Sequence, residues 1–214
     1  MNRNRSLATL AVAALVLACG SRAQAQAVAT AKQAFQLSAF GGLSGVATGL
    51  YGGGNLSVTA GANLAFPGYF GFRPSVTLRG TYPVASGNVI GERNVLGGLQ
   101  VERRYGRFHP YGDILFGRGQ INYAPGYQLT YYTFDSQGND ILYTYTASSS
   151  NVISPGGGVD IDLTDHFAVK ADVQYQHYNT PVTPITPSGH LWATSTTLGV
   201  VYRFDFNHHR HSRR

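Results

Sequence analysis

The sequence predicts an all-β protein, an eight-stranded antiparallel up-and-down barrel that crosses a membrane, preceded by an export leader. Three observations predict it. The first is composition: charged residues make up 12% of the 214 positions, whereas Gly (27), Tyr (14) and Phe (11) abound. A globular chain carries about 25% charge, so this balance suits aromatic strands joined by tight turns and excludes a coiled coil, a helical bundle and a charge-rich disordered chain. The second is a period of two in hydrophobicity once the leader is passed. The third is that the connections between apolar-alternating segments are short and long in turn.

Residues 1–27 read as a secretory signal peptide. Arg3 and Arg5 form the positive start, and Leu7 to Ala18 is an apolar run of twelve residues, too short to span a bilayer as a helix. Ala23-Gln24-Ala25 or Ala25-Gln26-Ala27 then places small residues at −3 and −1 of a peptidase site. Val16-Leu17-Ala18-Cys19 offers a rival, a loose lipoprotein box that would leave a lipidated Cys19. Leu17 stands where a small residue is usual, so cleavage after Ala25 or Ala27 is favoured, and it removes the chain's one cysteine. A cysteine-free exported chain has no disulfide framework and no Cys-based zinc site. No later stretch approaches the roughly 18 apolar residues of a membrane helix, so a mature chain that spans a membrane must close as a barrel.

Eight strands follow, at 34–43, 54–66, 70–83, 92–105, 110–123, 151–163, 166–178 and 191–206. The clearest is Leu56-Ser57-Val58-Thr59-Ala60-Gly61-Ala62-Asn63-Leu64, with apolar side chains on one face and Ser, Thr, Gly and Asn on the other. Most reach ten residues or more, the length that tilted membrane strands need, against about five or six in a typical soluble strand. Pro67-Gly68-Tyr69, Gly106-Arg107-Phe108-His109 and Thr164-Asp165 are short turns, while 44–53, 84–91, 124–150 and 179–190 are longer loops. Short periplasmic turns opposite long external loops are the asymmetry of an outer-membrane barrel. An even strand number returns both ends of the barrel to the periplasmic side.

The faces can be assigned by charge. Val76 and Leu78 oppose Arg73, Thr77 and Arg79; Leu99 and Val101 oppose Gln100, Glu102 and Arg104; Val159, Ile161 and Leu163 oppose Asp160 and Asp162. Phe167, Val169, Ala171 and Val173 oppose Lys170, Asp172 and Gln174; Leu198, Val200, Tyr202 and Phe204 oppose Arg203 and Asp205. On the fifth strand Arg118 joins Gln120 and Asn122 on the polar side, which turns Ile114 and Phe116 inward and Asp113 outward near the periplasmic rim. The expected interior thus holds six cations (Arg73, Arg79, Arg104, Arg118, Lys170, Arg203) and five anions (Glu102, Asp160, Asp162, Asp172, Asp205). Such a set is costly in a ligand cavity of a soluble barrel but can pair inside a small membrane barrel. Arg103 falls on the lipid side, two residues before the turn, where it can snorkel. Aromatics gather at strand ends as two girdles: Phe66, Tyr69, Phe70, Phe72, Tyr105, Phe108, Tyr111, Phe167, Tyr202, Phe204 and Phe206 at one, and Tyr51, Tyr82, Tyr123, Tyr175, Tyr178 and Trp192 at the other.

On these residues the chain resembles the small eight-stranded outer-membrane barrels, the OmpA-like transmembrane domain family, over Ala34 to Phe206. The last strand, Thr197-Leu198-Gly199-Val200-Val201-Tyr202-Arg203-Phe204, looks like the family's terminal assembly signal, with Thr197, Gly199, Tyr202 and Phe204 in the matching places. The resemblance implies recognition by the barrel-assembly machinery and embedding in outer-membrane lipid. Ten residues follow Phe204, where family members often end, and no folded periplasmic domain follows.

Formal net charge is +6, but six of the 16 Lys and Arg lie in the leader (Arg3, Arg5, Arg22) or the tail (Arg210, Arg213, Arg214), leaving ten against ten Asp and Glu between Val28 and Phe206. A neutral central region gives no footprint for nucleic acid. The 207–214 tail, with His208, His209 and His211, reads as disordered and solvated, and no metal site or cofactor is expected. Gly156-Gly157-Gly158 reads as a bend or bulge. His177, His190, Ser188 and Ser195 lie near the external rim without an enzyme motif around them, so no catalytic residue is assigned. In the 124–150 loop, Tyr127–Phe134 and Ile141–Tyr145 flank Ser136-Gln137-Gly138-Asn139 and predict an external hairpin. Tyr127, Tyr131, Tyr132, Phe134, Tyr143 and Tyr145 are its candidate contacts for an extracellular protein or glycan, since tyrosine offers area and a polar tip at low entropy cost. Three readings stand: a plugged monomeric barrel acting at the cell surface, a narrow channel for ions or small solutes, and a soluble or lipidated periplasmic barrel for an apolar ligand.

Overall fold

The computed structural model describes residues 35–49, 53–85, 90–125, 128–182, 186 and 188–204. Ten strands form: β1 (Gln36–Ala47), β2 (Gly54–Ala65), β3 (Phe72–Ala85), β4 (Ile90–Arg103), β5 (Phe108–Tyr123), β6 (Leu129–Phe134), β7 (Asp140–Tyr145), β8 (Ala147–Asp162), β9 (Phe167–Asn179) and β10 (His190–Arg203). Eight close into one antiparallel barrel in the order β1-β10-β9-β8-β5-β4-β3-β2, and β6 with β7 forms a separate two-stranded ribbon. The seam between first and last strands pairs Ser38 with Arg203 and runs to Ala47 opposite Thr194. Closure leaves no sheet edge, which lipid would not tolerate.

Alternation decides which face meets lipid. On β2, Asn55, Ser57 and Thr59 are buried inside while Leu56, Val58 and Leu64 are exposed outside. The same outward belt takes in Leu43, Val76, Leu78, Val95, Leu99, Leu198 and Val200. An apolar exterior around a polar lining is the reverse of a soluble barrel, and it removes the periplasmic ligand-carrier reading.

Strand bounds shift where turns are tighter than the residue types suggest. Phe70 and Gly71, at φ 50° and 81°, make a two-residue turn between the Tyr69–Phe72 bridge partners, so the turn lies past Pro67-Gly68. A second two-residue turn, Gly106-Arg107, joins the bridged Tyr105 and Phe108. His109 therefore belongs to β5 and not to the turn. At the other end β1 runs on to Ala47, because Ser44 and Val46 continue the inward register, and Thr48 closes the loop by donating from N and Oγ1 to the Gly53 carbonyl at 3.1 and 2.9 Å. The glycine run is neither bend nor bulge: Gly156, Gly157 and Gly158 pair in unbroken register with Asp113, Gly112 and Tyr111.

The girdles also change. Tyr111, Tyr123 and Tyr178 are buried inside the barrel. At the external end the outward aromatics among the described residues are Tyr82, Tyr175 and Trp192, the last two stacked with centroids 5.1 Å apart. Tyr51 and Phe206 lie outside the described residues. At the periplasmic end Arg103 lies over the rings of Phe72 and Tyr105 at 5.1 and 5.0 Å, consistent with a snorkelling cation at the interface.

Candidate functional site

An eight-stranded barrel is just wide enough for side chains to fill its interior. One strand reads out the whole axis. From the periplasmic end of β9, the inward residues are Ala168, Lys170, Asp172, Gln174, Gln176 and Tyr178, all buried. Ionic groups come first, then amides, then an aromatic ring.

The lowest layer is a chain of charges. Arg104 Nε lies 3.3 Å from Glu102 Oε1, His109 bridges Glu102 and Asp162 at 2.9 Å on each ring nitrogen, and Arg203 pairs with Asp162. Arg73, half-buried beside this layer, donates from Nε to the Phe66 carbonyl at 3.2 Å and also to Gln36. Arg104 sits past the end of β4, at the rim, with nearly half its side chain exposed. Above it Lys170 Nζ pairs with Asp160 at 3.0 Å and lies 4.0 Å from the Tyr111 ring centroid.

The middle layer centres on Arg79 and Asp172, 2.8 Å apart. Their strands, β3 and β9, are four places apart in either direction round the ring. Arg79 Nη2 also donates to Thr197 Oγ1 at 2.7 Å, and a hydroxyl ladder continues from Thr197 through Ser44 and Thr59 to Thr81 at 2.7, 2.6 and 3.1 Å. Asp172 accepts from Tyr111 Oη at 3.1 Å and Gln174 Nε2 at 3.0 Å. The two inward glycines of β8 make room for this layer: a Cβ at Gly156 would lie 2.3 Å from Gln174, and one at Gly158 2.7 Å from the Tyr111 hydroxyl.

Three corrections to the sequence-based assignment follow. The fifth-strand faces are inverted. Asp113 points inward and accepts two hydrogen bonds from Gln174 at 3.0 and 3.1 Å, with Leu115, Ile121 and Tyr123 buried on the same side. Arg118 is exposed on the outer wall with Ile114 and Phe116 below it and Asn122 above. Secondly, His109 and Glu92 belong to the interior, both nearly fully buried. Thirdly, the external half of the interior carries an apolar cluster of Val46, Ile90, Leu96, Leu115, Ile121, Tyr123, Val152, Tyr178, Leu191 and Ala193, set beside the buried polar Asn55, Glu92 and Gln176. Asn94 stands within the cluster's span, between Ile90 and Leu96 along β4, and donates to Gln176 at 3.0 Å and Tyr178 at 2.9 Å. Asp205 lies outside the described residues.

On the last strand Thr197 and Gly199 face inward and Tyr202 outward. Tyr202 packs edge-on against Phe167 and Phe204 at 5.1 and 5.0 Å, and the Phe204 N–H donates to Leu37 O at 3.0 Å across the seam.

The ribbon of β6 and β7 pairs Leu129 with Tyr145 through to Phe134 with Asp140. Tyr132 and Phe134 on one strand and Leu142 on the other share a face and are exposed, as is Tyr143 on the opposite face. Tyr131 pairs with Tyr143 through the backbone, Tyr145 packs against the apolar cluster at the barrel mouth, and Tyr127 lies outside the described residues. The turn is held by Asp135, whose carboxylate accepts from Gln137 N and Asn139 N at 2.8 Å each and from Asn139 Nδ2 at 3.0 Å. The Asn139 side chain and backbone hold this carboxyl below its ordinary value. A lowered acid contributes order above its ordinary range and loses it as pH falls through the lowered value. The Gln137 and Asn139 amide resonances should therefore titrate below the usual aspartate range; titration at or above that range would contradict the carboxylate cap.

A closed eight-stranded barrel with an apolar outer belt, aromatic interfaces and a charge-paired lining defines a transmembrane barrel of the bacterial outer membrane. The outer membrane protein beta-barrel domain family matches over residues 10–204, and the chain belongs to it. Neisserial surface protein A is similar at 12% identity and TM-score 0.47, covering 80% of this chain and 97% of that one. Ail, the attachment invasion locus protein of Yersinia pestis, follows at 13% and 0.45, covering 79% and 97%. OprG from Pseudomonas aeruginosa stands at 13% and 0.43, covering 80% and 96%. No curated protein matches the sequence.

Proposed function

We propose that the protein acts at the cell surface through a barrel that does not conduct, with the β6–β7 ribbon as its contact element and no catalytic site. The supporting observation is the doubly closed axis. Paired charges fill the periplasmic half, and the apolar cluster of Leu96, Leu115, Ile121 and Tyr178 fills the external half. An ion would have to displace the first and then pass the packed side chains of the second. The ribbon carries the exposed apolar and aromatic groups Tyr132, Phe134, Leu142 and Tyr143, which a purely solvated loop would not need. Residues 1–27 serve as the export signal in this reading, and Thr197, Gly199, Tyr202 and Phe204 as the segment read by the assembly machinery.

The test is single-channel recording of the refolded mature protein in a planar bilayer, with insertion confirmed by a heat-dependent gel shift. Silence is expected. Steady openings would replace this reading with the narrow-channel one. Removing residues 127–145 should then abolish binding of intact cells to protein- or glycan-coated surfaces while leaving the heat shift intact. Unchanged binding would remove the ribbon's contact role.

A further inference from the structure

The inverted face of β5 leaves a basic patch on the outside of the barrel. Arg118 on β5 stands opposite Val95 on β4, and Arg93 on β4 stands opposite Gln120 on β5. The two arginines are thus diagonal neighbours on one outer face, with Cα atoms ~7–8 Å apart, within reach of a single small anion for long side chains. Arg93 donates to Gln120, which in turn donates to Asn122 at 2.9 Å. Arg118 has no hydrogen bond or ion pair with any described residue. Every carboxylate on the described barrel strands (Glu92, Glu102, Asp113, Asp160, Asp162, Asp172) faces the interior, so no carboxylate of those strands neutralises the pair on the outer wall.

Their depth is set by the strands. Arg93 is ten residues along β4 from the snorkelling Arg103, and Arg118 ten along β5 from Phe108. At ~3.3 Å per residue and a tilt of ~45° this is ~23 Å, the height of the ~25 Å apolar belt. Both guanidinium groups therefore stand at the outer-leaflet headgroup level. Below them Val95 and Phe116 are exposed to acyl chains. A groove of about 420 Å³ lies between Tyr82, Arg93, Val95, Arg118, Gln120 and Ser149.

We propose that Arg93 and Arg118 form a binding site for the phosphate of a phosphorylated glycolipid of the outer leaflet. Two forked donors fit phosphate oxygens, Gln120, Asn122 and Ser149 offer partners to sugar hydroxyls, and the apolar wall beneath takes the acyl chains.

The experiment is native mass spectrometry of the folded protein released from micelles containing diphosphoryl lipid A. Phosphate-free lipid A, phosphatidylglycerol and inorganic phosphate serve as separate probes. Diphosphoryl lipid A is expected to bind at least about tenfold more tightly than the phosphate-free form, and the Arg93→Gln/Arg118→Gln pair should erase that difference. The Arg93→Lys/Arg118→Lys pair keeps the charge, loses the fork and should fall between. Equal binding of both lipid A forms, or an unchanged affinity in the double Gln variant, would overturn the site. Equal binding of phosphatidylglycerol, or full competition by inorganic phosphate, would overturn the glycolipid as its occupant. Should the Gln pair fail to show the heat shift, the Lys pair decides: affinity equal to that of the unsubstituted protein refutes the forked contact.

Discussion

Arg79→Ala is expected to lower the stability of the folded barrel by about 3–5 kcal/mol, the cost of leaving one member of a buried ion pair alone. Arg79 and Asp172 are both about 2% exposed and lie 2.8 Å apart, so alanine strands the Asp172 carboxylate among Tyr111, Gln174 and Asp113. Asp172→Ala should do the same to the guanidinium. The Arg79→Met/Asp172→Leu pair removes both charges and should cost less than either single change, because the two terms couple. Urea-dependent unfolding from lipid vesicles measures all three. Single variants within about 1 kcal/mol of the parent would mean that water enters and solvates the layer, and the case for a sealed axis would weaken with it.

Gly199→Val should abolish barrel closure. Gly199 faces Gly42 across the seam, and a Cβ on it would lie 2.4 Å from the Gly41 carbonyl oxygen and 3.0 Å from the Gly42 Cα. These are backbone atoms of the first strand, which cannot turn aside as a side chain can, so closure would have to spread the seam and break its ladder. Gly199→Ala should show the same defect in part, as a smaller folded fraction. Refolding into pure lipid separates two causes. Failure there, read as a missing heat shift, is the geometric effect expected here. Normal refolding with defective assembly only in cells would instead make Gly199 a recognition residue of the terminal signal.

The period-two pattern of β2 and the charged positions of β9 and β10 were legible in the sequence because each strand there sees the same two surroundings along its length. Leu56 and Val58 meet lipid while Ser57 and Thr59 line the barrel. That rule holds only within the apolar belt. Above it the outer wall meets headgroups and water, so Arg118, Gln120 and Asn122 sit outside without penalty, while Ile121 and Tyr123 turn in to close the mouth. Polarity then points the wrong way, and β5 reads upside down. The site residue His109 was hidden for a different reason. Gly106-Arg107-Phe108-His109 is rich in turn formers, yet two residues suffice for the reversal, and the two left over take up strand positions, with His109 facing Glu102 and Asp162. Glu92 stands at the first position of the strand that the sequence outlines, where a rim residue is solvated, whereas the strand begins two residues earlier, at Ile90, and carries Glu92 inside.

The Arg79–Asp172 contact joins β3 to β9, strands on opposite sides of the ring. It works as a strut. A hollow tube of eight strands can flatten toward an oval when the surrounding bilayer thins or its lateral pressure changes, because its hydrogen-bond ladders bend at little cost. A tube pinned across its diameter at mid-height resists lengthening along that diameter. The diameter from β3 to β9 is thus held from within by a buried ion pair, beneath the ribbon that rises from β5 and β8.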